Sequence, residues 1–291
     1  MEGTEKYWID LFPVLWKQVL EHMVTCGGKY KMEQLELMPR WVGKGKEDIM
    51  GRYTVFKTGA ELIAYCQRTN PSTLQLGGIF PLMDEELCVE DPREGRVRDR
   101  HLIKAGICNA EGPLKIDLDI KDYDRSGICD CKDAKMCTEC WDEFMHSSRI
   151  IIDYILRNIF KLSNIYHFWS GNRGLHIWCF DERVIHWTKS ERTTFIESVK
   201  KRENFHHVLP KEFESLPWPK FDTAVTQDPM HALGLPFGPH HTTKAIRVML
   251  PYLSDMKAEF DPQLRLKRSN VNVVTKGDLQ PTIEFILKTW K

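Results

Sequence analysis

The chain has 291 residues, 42% hydrophobic and 28% charged, and its 41 basic residues balance 41 acidic ones. That composition gives a folded soluble protein and excludes nucleic-acid binding by overall charge, leaving only a local basic face for that purpose. No apolar run reaches the ~20 residues that cross a bilayer, and the polar start Met1–Lys6 lacks a leader's basic-then-apolar pattern. An intracellular protein with no membrane partner is expected, nuclear if its source is a eukaryotic cell.

Apolar residues at helical spacing (Trp8, Leu11, Leu15, Val19, Met23) predict a helix over 7–24, with Pro13 setting off a short first turn. Gly51–Phe56 reads as a strand, Glu61–Arg68 as a helix broken by Asn70-Pro71-Ser72, and Leu74–Phe80 as another strand. Residues 82–104 are charged, hold Asp91-Pro92 and Gly95, and read as a mobile surface loop. Leu114–Ile120 alternates apolar and polar residues as a strand does, and Trp141–Phe160 has the pattern of a long helix. Tyr166–Ser170 and Leu175–Phe180 read as strands joined by a tight turn at Gly171–Gly174. Ser190–Arg202 follows as a helix, Pro210–Pro219 as a proline-punctuated connection, 245–250 as a short strand and Pro281–Trp290 as a terminal helix. Neither a repeat nor a low-complexity linker divides the chain, so one composite α/β (α+β) unit over 1–291 is expected. Basic residues gather at Lys29–Arg52, Arg93–Lys104 and Lys257–Arg268, where a solvated surface explains them as well as a binding face does.

In the strand Leu114–Asp119 the period of two puts Asp117 and Asp119 on one face. Two adjacent carboxylates repel, and a hard divalent ion such as Mg²⁺ or Mn²⁺ removes that cost. An isolated Asp-x-Asp is a weak signal, since solvated strand-end carboxylates look the same. Asp222, after the apolar approach of Phe221, can complete a three-carboxylate site or can simply start a strand.

Nine cysteines are an odd number, and four of them crowd together as Cys129-x-Cys131-x5-Cys137-x2-Cys140. In an intracellular chain such density argues for metal rather than disulfides. Two close thiolate pairs on a short loop can enclose Zn²⁺ in a closed, structural site, within a module over about 123–145. His146 is a lower-ranked substitute ligand.

The turn Ser170-Gly171-Asn172-Arg173-Gly174-Leu175-His176 joins two glycines, which let backbone approach a ligand, to a hydroxyl, a guanidinium and an imidazole. Ser170, Arg173 and His176 with exposed N–H groups can hold a triphosphate, although a hairpin with incidental polar residues has the same letters. His240 or His241 can donate to a phosphate or be solvated.

In this order, Asp-x-Asp, four clustered cysteines, Ser-Gly-x-Arg-Gly-x-His-x-Trp and a later Asp resemble the catalytic small subunit of archaeal and eukaryotic DNA primase. Glu47–Tyr53, Asn70–Gly78 and His231–His240 are similar to further blocks of that family, so the likeness runs from about residue 45 to 250. The resemblance implies a primase catalytic core with an inserted zinc module. It implies that Asp117, Asp119 and Asp222 hold two catalytic Mg²⁺ or Mn²⁺ ions, and that Arg52, Ser170, Arg173, His176 and His240 contact nucleotide phosphates. The implied activity is DNA-dependent synthesis of short RNA primers from nucleoside triphosphates on single-stranded DNA, with a large primase subunit as partner and a replicative DNA polymerase associated. Rival readings are a repair or bypass primase-polymerase using deoxynucleotides and a non-catalytic nucleic-acid-binding subunit. Gly234 stands where the family often has lysine, Gly238 where it has serine, and Asn172 replaces a second basic residue of the turn. Weaker phosphate binding, or compensation by Lys244 or Arg247, is the expected consequence. Only 45 residues separate His176 from Asp222, too few for the large helical insertion of many members, so this is a compact one.

Overall fold

The computed structural model describes residues 2–42, 48–80, 88–91, 95–98, 110–133, 135–250 and 276–290. Helix α1 runs through consecutive α and π stretches from Glu2–Lys6 to Glu21–Val24. The Phe12 N–H reaches back five residues to the Tyr7 carbonyl, next to Pro13, which has no N–H to give. Its apolar stripe, Trp8, Phe12, Leu15, Trp16, Val19 and Met23, is buried.

Strands β1 (Leu35–Val42), β2 (Asp48–Met50) and β3 (Thr73–Ile79) and the two-residue β9 (Leu233–Gly234) form an antiparallel sheet in the order β2-β1-β3-β9. Helix α2 (Gly59–Thr69) lies between β2 and β3, capped by the Thr58 hydroxyl and ended by Asn70 in the left-handed region at φ 42°. A second antiparallel sheet, ordered β6-β8-β7, holds β6 (Leu114–Asp119), β7 (Ile165–Trp169) and β8 (Gly174–Cys179). Helix α3 (Thr138–Tyr154) continues through a π turn at Ile155–Ile159. Beyond β8 come α4 (Glu182–Ile185), α5 (Lys189–Val199) with a Thr188/Glu191 capping box, and α6 (Thr223–Gln227). Helix α7 (Lys276–Thr289) closes the described chain with Pro281 inside it.

The β6-β8-β7 sheet is buried on both faces because its side chains feed two separate cores. Leu114, Ile116, Leu118, Leu175 and Ile177 pack with α3 and α5 residues such as Phe144, Ile151 and Phe195. Tyr166, Phe168 and Trp178 point the other way, into the core shared by α1, β1, β3 and α7. On that second face also lie Lys115, Asp117, Asp119 and His176, by the period of two and the register Asp117↔His176 and Lys115↔Trp178. The polar stripe therefore turns toward the other sheet. Lys115 is completely buried and bridges the gap, its Nζ donating to the carbonyls of Gly77 (3.0 Å), Pro229 (2.8 Å) and His231 (2.5 Å).

Three expectations need correction. Gly51–Phe56 is not a strand: Tyr53 sits at φ 69° and only Thr54 makes a bridge, because the Gly51 N–H is spent on the Pro39 carbonyl as the chain turns off the sheet. Residues 245–250 form only isolated bridges, Pro239↔Ile246 and Phe168↔Met249, since this segment divides its bonds between two partners. Within 82–104, the described residues pair as the antiparallel hairpin β4 (Cys88–Asp91) and β5 (Gly95–Arg98) rather than a loop; the rest lies outside the described residues, as does most of the two later basic stretches. Among the described residues of the first basic stretch, Lys29 pairs with Glu182, Arg40 with Asp48 and Arg52 with Glu36.

Candidate active site

Asp117 and Asp119 project from the end of β6 as the alternation dictates. Asp222 is brought beside them by one backbone bond, its N–H donating to the Asp117 carbonyl at 2.8 Å. It is no strand start but the N-cap of α6, where its side chain accepts from the Ala224 N–H at 2.9 Å. Burial, followed by the negative charges of Asp222 and Asp119, pushes the Asp117 carboxyl up to about 7. Asp119 and Asp222 lie near enough for their charges to act on Asp117, and carboxylate oxygens of this kind suit hard divalent ions.

Cations and imidazoles flank these acids. Arg173 Nε donates to both oxygens of Asp119 at 2.9 Å, and this contact holds the guanidinium charge firmly in place. His176, across the β6–β8 ladder, has Nε2 3.5 Å from Asp117 Oδ1 and a buried Nδ1 without a partner. Burial and the nearby charge of Arg247 keep its pKa well below the ordinary value, so it is neutral.

Gly171, at φ 89°, lets the turn pass against His240; a Cβ there would stand 2.7 Å from the His240 Cβ. The Ser170 hydroxyl accepts from the Gly174 N–H (3.0 Å) and the Asn172 N–H (3.4 Å), which leaves its proton to donate. His240 is locked by the Ala245 carbonyl through its own N–H, and its Nδ1 accepts from the N–H groups of Thr242 and Thr243. Burial drives its pKa down to about 3. A neutral imidazole accepting at Nδ1 carries its proton on Nε2, a donor suited to a phosphate oxygen.

Arg52 stands on the opposite sheet's side. Its Nε and a terminal nitrogen pair with the fully buried Glu36 at 3.2 Å. With Met38, Arg40, Gln75, Asp228 and His231 it lines a cavity of about 440 Å³. Sequence reading passed over Arg40, Glu36 and Lys115. The Leu35-Glu36-Leu37 alternation was the available signal for the first two, obscured by Pro39 within β1.

The four cysteines come together as expected. Cys137 caps α3 and Cys140 lies in its first turn, their Sγ atoms 3.7 Å apart, and all four sulfurs are within 4.8 Å of one another. A tetrahedron with Zn–S near 2.3 Å has sulfurs about 3.8 Å apart, so the cradle fits the ion. Arg125 braces the loop by donating to the carbonyls of Lys135 (2.6 Å) and Asp133 (3.1 Å). His146 is not part of the cluster.

The family model of the DNA primase small subunit matches residues 116–252, the stretch that holds the acids, the cysteine cradle, the glycine turn and His240. Over these residues the chain is similar to DNA primase small subunits. Curated relatives agree. The chain is 30% identical over 141 residues to the DNA primase small subunit of Drosophila melanogaster, and 28% identical over 138 residues to that of Caenorhabditis elegans. The two alignments cover 48% and 47% of this chain but only 29% and 30% of those relatives' own lengths. Among solved structures, the polymerase domain of Mycobacterium tuberculosis ligase D, determined in complex with DNA, superposes with a TM-score of 0.53. It covers 97% of this chain and 91% of that one at 12% identity, a likeness of fold. No helix among the described residues is long and apolar enough to cross a membrane.

Proposed function

We propose that this chain is the catalytic subunit of a DNA-dependent primase, one composite unit with a zinc module over about 123–145. It would make short RNA primers from nucleoside triphosphates on single-stranded DNA. The observation that carries this reading is the meeting of Asp117, Asp119 and Asp222 beside Arg173 and His176. In it, Asp117, Asp119 and Asp222 hold two Mg²⁺ or Mn²⁺ ions, and Cys129, Cys131, Cys137 and Cys140 hold a structural Zn²⁺. Bound at the acids, the divalent ions supply charge neutralisation at the transferred phosphoryl group and activation of the primer hydroxyl.

The chain's own residues do the positioning. Arg173, Ser170 and the Nε2–H of His240 donate to the triphosphate. His176, neutral and buried, contributes a hydrogen bond rather than a charge. Arg52 reaches the nucleotide from the opposite wall of the cleft. The cysteine cradle inserted directly after Asp119 supports a primase over a repair or bypass primase-polymerase. A large primase subunit and a replicative DNA polymerase are the expected partners, in an intracellular setting.

The test is primer formation on single-stranded DNA with labelled ribonucleotides or deoxynucleotides and Mg²⁺ or Mn²⁺, with and without a large-subunit candidate. Short ribonucleotide products are expected. Template binding without synthesis under all these conditions would replace the enzyme with a binding subunit.

A further inference from the structure

The residue with the most unexplained chemistry is Arg247. It is 3% exposed, yet among the described residues it has no carboxylate at ion-pair distance. One terminal nitrogen is fixed by the Gly238 carbonyl (3.1 Å), the Pro239 carbonyl (2.8 Å) and Thr73 Oγ1 (3.3 Å). Its Nε is buried and has no partner. Burying a guanidinium without an anion is costly, and a fold keeps such a group only where something offsets the cost.

The surroundings say what that is. A Cβ on Gly234 would fall on the guanidinium carbon and two of its nitrogens, so glycine at 234 is what makes room for the planar group. Its charge is felt by Asp117, His176, His240 and His241, and by Arg40 as a repulsion. Burial lowers its own pKa only to about 10, so it stays charged at neutral pH. A pinned cation, between the sheet that carries Thr73 and the segment that presents His240, therefore borders the acidic centre with donors unspent.

We propose that Arg247, seated over Gly234, is the fixed cation of the nucleotide's phosphate subsite and offers its second terminal nitrogen, which is neither hydrogen-bonded nor fully buried, to a triphosphate oxygen. This rests on the primase reading, because it names a group for that same site. Gly234→Lys would therefore add no cation to the pocket, since the space is already filled by Arg247.

The experiment measures binding of ATP and of adenosine to the whole chain by calorimetry, with Mg²⁺ present. Arg247→Met keeps the length and removes the charge. It is expected to weaken ATP binding about 10- to 100-fold, as for one lost charge-assisted bond, and to leave adenosine binding unchanged. Gly234→Lys alone is expected to weaken ATP binding through overlap, and Gly234→Lys with Arg247→Met to recover part of the loss. Because a buried substitution can unfold the chain, the wild type supplies a second readout. The ¹⁵Nε–¹Hε signal of Arg247 should move on adding ATP and stay still on adding adenosine. Unchanged ATP affinity in a folded Arg247→Met chain, or an Arg247 signal that ignores ATP, overturns the proposal. Wild type that binds no nucleoside triphosphate at all overturns the primase reading instead.

Discussion

The Asp222 N–H donates to the Asp117 carbonyl at 2.8 Å, and this backbone bond joins the start of a helix to the end of a strand. The consequence is chemical. Burial, joined by the negative charges of Asp222 and Asp119, holds the Asp117 carboxyl up at about 7. Replacing Asp222 by Asn leaves the backbone bond intact and removes one charge. Primer synthesis by Asp119→Asn and by Asp222→Asn is expected to fall by ~10²–10³. The double variant should be far less than multiplicative, because both residues serve one site. Single-stranded DNA binding should survive, and wild-type synthesis rates in either variant would end the metal-dependent reading.

The sulfur geometry predicts about one zinc per chain by elemental analysis. Cys137→Ser with Cys140→Ser removes both ligands at the start of α3. Metal content and melting temperature should drop together, while nucleotide affinity changes little. Full zinc occupancy in that variant would contradict the assignment.

Arg173 is engaged with Asp119 before any nucleotide arrives. Arg173→Ala should raise the apparent KM for nucleotide, the loss of a charge-assisted contact being about 1.5–3 kcal/mol. Nucleotide titrations that do not change on this substitution would reduce the glycine turn to a hairpin.

Away from the cleft, His167 Nε2 lies 3.0 Å from Asp153 Oδ1 on the α3 side of the sheet. Burial keeps the pKa of His167 below its ordinary value in the fold, against the pull of Asp153. A histidine with a depressed folded pKa supports the fold above its unfolded value of about 6.5 and loses that support as pH falls. The melting temperature should therefore drop between pH 7 and pH 5, and His167→Gln should show a shallower drop. Identical slopes in the two proteins would place the titration elsewhere.

What the sequence by itself determined was local. Alternation over Leu114–Asp119 assigned Asp117 and Asp119 to one face, and the spacing of Cys129, Cys131, Cys137 and Cys140 brought four thiols within reach of one ion. The glycine turn at Ser170–Gly174 was legible because its strands flank it directly and its register follows from a short connection. Only the tertiary structure decided the rest. Asp222 joins the site through a backbone bond that no periodicity encodes, and it does so as a helix cap. Tyr53 at positive φ turns the expected strand at 51–56 away from the sheet. Lys115 reads as an ordinary surface cation in a one-dimensional pattern, and no pattern shows that Arg247, expected as a compensating cation, is buried. They are buried because distant carbonyls, Gly77, Pro229 and His231 for one and Gly238 and Pro239 for the other, replace the water each has lost. Solvation of a charge depends on everything around it in space, and so the placing of these cations was left to the fold.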